Sequence, residues 1–98
     1  AIVGQTYRVN IATSGAGKYF KFVPTSTRSY TFKSTIATTQ IDTYGYLYDS
    51  NHNQLAANDD NGGNRQFLFN YNCTAGTTYY LRAACFSSGT GIYNVIIT

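Results

Sequence analysis

The chain has 98 residues and contains no Glu, no Met and no Trp, with a single Pro and a single His. Charged side chains make up 11% of it, against roughly a quarter in an average soluble domain. The missing Glu and Met belong to the good helix formers, so a helical fold is disfavoured. One His and four Asp leave little material for an acid–base pair or a nucleophilic triad. Ser50 beside His52 has no nucleophile-elbow signature around it. Asp59 and Asp60 are neighbours on one turn, whereas glycosidase carboxylates must flank a bond from opposite sides, about 5 to 9.5 Å apart. These absences argue against an enzyme. No apolar run approaches the roughly 18 residues of a membrane span, and the first ten residues lack the basic start and long apolar centre of a signal peptide.

Charge of either sign is also dispersed. Seven basic residues, Arg8, Lys18, Lys21, Arg28, Lys33, Arg65 and Arg82, give a net charge of +3 without forming a basic run, which argues against nucleic acid as the partner. Cys73 and Cys85 have no CxxC neighbour and His52 has no metal-ligand spacing around it, so zinc and thioredoxin-type chemistry find no support. The two cysteines share an inward parity. One bridge or two buried thiols both fit, although a hairpin would set Cys73 nearer Thr78 than Cys85.

What the chain does have is ten Tyr, six Phe and many Thr, Ser and Asn, the vocabulary of strands and turns. Residues 5–13 alternate Tyr7, Val9 and Ile11 against polar positions, and residues 18–23 alternate Phe20 and Phe22 against Tyr19 and Lys21. Further alternating runs fall at 29–35, 44–48, 54–58, 66–73 and 78–85, with Tyr93, Val95 and Ile97 marking a last inward face. Residues 36–41 read as a loop. Turn signals stand at 14–17, 59–64, 74–77 and 87–91. About eight short strands with turns between them predict an all-β, antiparallel two-sheet β-sandwich, a single module spanning 1–98.

The stretch 42–60, DTYGYLYDSNHNQLAANDD, carries all four acids and the only histidine. It reads as a β-hairpin. Leu47 is the one aliphatic residue of its first arm and should face the core, which puts Tyr44, Tyr46 and Tyr48 on the opposite face. Tyr80 and Arg82 are outward by parity on a later strand. A row of tyrosines about 7 Å apart along a strand can stack on the apolar faces of sugar rings, while flanking Asn, Asp and Arg bind hydroxyls. The bland alternative is that the tyrosines pack across strands or beneath the 36–41 loop. Asp42, Asp59 and Asp60 could converge at one end of the sandwich and hold calcium. The bland alternative for these acids is that they bond the amides of their own turns. Asp49 with Asn51 and Asn53 superficially matches a calcium loop, but Gln54 stands where the sharp turn needs Gly. There the alternative is a hairpin loop with Asn51 or His52 left-handed and Asp49 bonding the loop's amides.

The segments DTYGYLYDSNHNQLAANDDNGG, FLFNYNCTAGTTYYLRA and GIYNVIIT, with GQTY, YFKFVP and YTF in the first half, resemble the bacterial pre-peptidase C-terminal domain family. The resemblance implies a jelly-roll-like sandwich appended to a secreted bacterial hydrolase. Members are non-catalytic, and some anchor collagen or carbohydrate. Gly45 and Ala83 stand where the family has larger apolar residues, Cys73 replaces an apolar core residue, and His52 takes a position usually held by Gly. From residues and resemblance together, the expectation is a secreted, carbohydrate-binding accessory module. Its partners would be a polysaccharide of β-glucan or xylan type and the appended catalytic domain, with Tyr44, Tyr46, Tyr48, Tyr80 and Arg82 as the binding residues. The alternatives are a collagen-type protein-binding or maturation module beside a peptidase, and a structural spacer.

Overall fold

A computed structural model describes residues 2–13, 15–37, 41–59, 63, 65–86 and 89–98. Alternation of apolar and polar side chains is realised as eight strands: β1 (Thr6–Ile11), β2 (Gly17–Phe22), β3 (Arg28–Ile36), β4 (Thr43–Asp49), β5 (Gln54–Asn58), β6 (Leu68–Cys73), β7 (Tyr79–Cys85) and β8 (Gly91–Ile97). These lie close to the expected bounds. The expected loop at 36–41 and the turns at 14–17, 59–64 and 87–91 fall partly outside the described residues.

The strands form two antiparallel sheets of four, in the orders β1-β8-β3-β6 and β2-β7-β4-β5. The chain alternates between the sheets, with β4 and β5 the one sequential pair that lies side by side; this is the wrapped path of a jelly roll. One expectation is corrected here. Residues 74–77 do not close a hairpin, because β6 and β7 belong to different sheets. The turn instead carries the chain across the end of the sandwich. Gly76 supplies a positive φ of 79°, and the Gly76 N–H donates to the Pro24 carbonyl at 2.9 Å.

That crossing also separates the cysteines. Cys73 ends β6 opposite Arg28, whereas Cys85 ends β7 opposite Thr43 in the other sheet. Both are free thiols, and burial pushes Cys73 up to about 11.

The core lies between the sheets and is mostly aromatic. Phe22 of one sheet meets Tyr30 and Phe32 of the other edge-on, at centroid distances of 5.0 and 5.9 Å, and Phe32 stacks on Phe69 at 5.1 Å. Burying each such ring stabilises the fold by about 1.5–3 kcal/mol. Buried hydroxyls find partners across the sandwich: Tyr93 of β8 donates to the Ala84 carbonyl of β7 at 2.7 Å, as a buried phenol must. Where the β3–β6 ladder ends at Lys33 and Leu68, a buried polar knot takes over. Ser34 Oγ lies 2.7 Å from Thr43 Oγ1 and donates to Gln66 Oε1 at 2.8 Å, and the Phe67 N–H donates to Thr43 Oγ1 at 2.9 Å. The knot joins the two sheets and fixes Phe67 in the core, fully buried.

Candidate ligand-binding face

The outer face of the β2-β7-β4-β5 sheet gathers the five residues singled out from sequence. The strand parity that buries Leu47 turns Tyr44, Tyr46 and Tyr48 outward on β4, all three half-buried. On β7, Arg82 stands opposite Tyr46 and Tyr80 opposite Tyr48. The Arg82 guanidinium lies 5.0 Å from the centre of the Tyr46 ring, a cation–π distance.

The tyrosines form a ladder. Tyr44 and Tyr46 are 4.6 Å apart and 14° from parallel, and Tyr46 and Tyr48 are 6.1 Å apart at 12°. Near-parallel rings at 4.6 Å must overlap face to face, because rings lying edge to edge in one plane are kept further apart by their own width. Tyr44 and Tyr46 therefore cover part of each other's ring faces.

Sequence reading missed three members of this face. Phe86 extends the ladder beyond Tyr44, at 6.0 Å and 5°. Tyr19 of β2 packs against Tyr48 at 6.2 Å, and His52 stacks on Tyr80 at 5.5 Å. The parity of Tyr19 and Phe86 was legible along each strand. Their adjacency to β4 was not, since it depends on β7 pairing with both β2 and β4. The described end of the 36–41 loop packs elsewhere: Ile41 sits against Gly91 on β8, where an added Cβ would run into it.

The described acids stand at the ends of the strands. Asp42 precedes β4 and Asp59 follows β5. Asp49, at the end of β4, accepts the backbone N–H groups of Asn51 and Asn53 at 2.9 Å each and the Asn53 side-chain amide at 3.1 Å. Those bonds, the Asn53 backbone N–H first, hold its carboxyl below the ordinary value of 3.8. His52 takes the left-handed conformation, with φ 63°, where the resembled family places Gly. The loop thus has the features of the hairpin alternative, with His52 left-handed and Asp49 bonding the loop's amides.

Of the three acids expected to hold calcium, Asp60 lies outside the described residues. Among the described residues no three His, Cys, Asp or Glu side chains gather closely enough to hold a metal ion. Asp42 is close enough to Cys85 for its charge, after burial, to help raise that thiol above its ordinary value.

No family model matches the sequence, and no curated protein does so either. Among solved structures, the pre-peptidase C-terminal domain of a collagenase from Bacillus anthracis is similar at a TM-score of 0.76, covering 98% of this chain and 90% of that one at 18% identity. The resemblance noticed in the strand motifs is therefore borne out at the level of the backbone, and this chain has the fold of the pre-peptidase C-terminal domain.

Proposed function

We propose that this chain is a non-catalytic extracellular module that adjoins the catalytic domain of a secreted hydrolase of the peptidase type. In this reading it holds an extended protein substrate on the outer face of β2-β7-β4-β5. The observation that carries the proposal is the aromatic ladder Phe86–Tyr44–Tyr46–Tyr48 on the outer sheet face. A polypeptide offers carbonyls and amides to tyrosine hydroxyls, and apolar side chains to ring edges. Extended, polyproline-type segments are recognised through aromatic side chains. The structural likeness to a domain from a collagenase points the same way.

Binding of β-glucan or xylan by ring stacking is the weaker reading. It needs open ring faces, and Tyr44 and Tyr46 cover part of each other's. The absence of Trp removes the largest stacking surface as well. Affinity electrophoresis separates the two readings: native gels cast with gelatin should retard the protein, and gels cast with β-glucan or xylan should not. The reverse pattern returns the face to polysaccharide.

A further inference from the structure

At the middle of the aromatic face the guanidinium of Arg82 is held in place by three neighbours. In the β7 register its Cα stands opposite Tyr46 on one side and Tyr19 on the other. Its Nη2 donates to the Gly15 carbonyl at 3.1 Å, and its charge lies over the Tyr46 ring. The third neighbour is a residue defined by what it lacks. A Cβ on Gly17 would come within 2.5 Å of Arg82 Nε, 3.0 Å of Cγ and 3.1 Å of Cζ. The Arg82 side chain thus runs across β2 through the space that any other residue would fill. Gly17 is not among the glycines with positive φ, so its backbone conformation alone does not call for glycine.

A half-buried guanidinium offers five N–H donors in a rigid fork, and the Gly15 carbonyl takes one. The flanking residues in the register, Tyr46 and Tyr19, are aromatic. Arg82 is thereby fixed in advance, in partly desolvated surroundings, with donors left for an anion. The matching group is a carboxylate, which the guanidinium fork binds bidentately. Pre-ordering of the side chain lowers the entropy cost of that contact.

We propose that Arg82, seated by Gly17, reads a carboxylate side chain on the bound polypeptide. Arg82 is then the specificity-determining contact and Gly17 its positioning residue. This rests on the polypeptide reading of the face, and the experiment keeps the two apart. Retention is measured in gels containing gelatin, gelatin whose carboxyls have been methyl-esterified, or polygalacturonate. The native protein should bind gelatin and lose at least about tenfold in affinity on esterified gelatin, the scale of a charge-assisted contact. Arg82→Gln should bind both gelatins equally and weakly. Gly17→Ala should lose the same sensitivity to esterification while keeping its melting temperature close to native, and Arg82→Lys should recover only part of it.

Equal retention of the native protein on both gelatins overturns the carboxylate inference and leaves the polypeptide reading intact, as does an undiminished esterification effect in Arg82→Gln. Retention on polygalacturonate without gelatin overturns the polypeptide reading, and with it the assignment of the carboxylate to a protein partner.

Discussion

The ring of Phe67 lies against the bare Cα of Gly45: a Cβ at that position would come within 2.5 Å of the Phe67 Cδ1. Gly45 stands directly opposite Ala83 on β7, so two small inward residues of this sheet are cross-strand partners. Their small size is matched by a large ring brought in from the other side by the Ser34–Thr43–Gln66 knot. Gly45→Ala should therefore overpack a closed site and destabilise the fold by about 1–3 kcal/mol, read as a fall in denaturant midpoint. Adding Phe67→Leu to Gly45→Ala should recover part of the loss. A neutral Gly45→Ala would mean that the ring has room to move.

The Tyr93 hydroxyl satisfies a buried carbonyl at Ala84, itself 3% exposed. Tyr93→Phe keeps the ring and removes the hydroxyl bond between the sheets. The expected cost is about 0.5–1.5 kcal/mol. An unchanged midpoint would show that this bond adds nothing to stability.

Stability in acid should depend on Asp49. Its carboxyl sits below its ordinary value of 3.8 because the folded hairpin loop donates to the charged form, the Asn53 amide first. A depressed carboxylate contributes stability that is present above the unfolded value and is lost as pH falls through the folded one. Native protein should thus exceed Asp49→Ala in denaturant midpoint at neutral pH, and the gap should close as pH drops below 3.8. A gap independent of pH would assign the effect to packing.

Neither thiol should react quickly at neutral pH. Burial raises both Cys73 and Cys85, and the thiolate is the reactive form. A disulfide exchange reagent should label Cys73 only at the rate of unfolding. Rapid labelling of Cys73 in the native state would contradict its burial at 0% exposure.

Much of this was legible in the sequence, for a physical reason. In a strand, side chains alternate strictly between faces, so Leu47 alone fixed which way Tyr44, Tyr46 and Tyr48 point. What parity cannot supply is which strands are neighbours. The passage through Gly76 looked like a hairpin because a tight turn followed by a second alternating run is how a hairpin reads. Whether the chain folds back beside β6 or crosses to the other sheet depends on where β3 and β4 already lie. The same gap hid Tyr19 and Phe86 from the ladder face, and Phe67 from Gly45. Both are contacts between segments more than twenty residues apart in the sequence, or brought together by a third strand. Asp49 was the opposite case, since a carboxylate that caps amides within four residues of itself is a local event.

The central claim is that the ladder face holds an extended polypeptide, and its most direct test is a titration of labelled protein with a collagen-like peptide, followed by amide chemical shifts. The account predicts perturbations concentrated on Tyr44, Tyr46, Tyr48, Tyr80 and Arg82 and on their β2 neighbour Tyr19. Tyr46→Ala should abolish them while the remaining spectrum stays native. Shifts centred on the outer face of β1-β8-β3-β6, or an undiminished response in Tyr46→Ala, would contradict it.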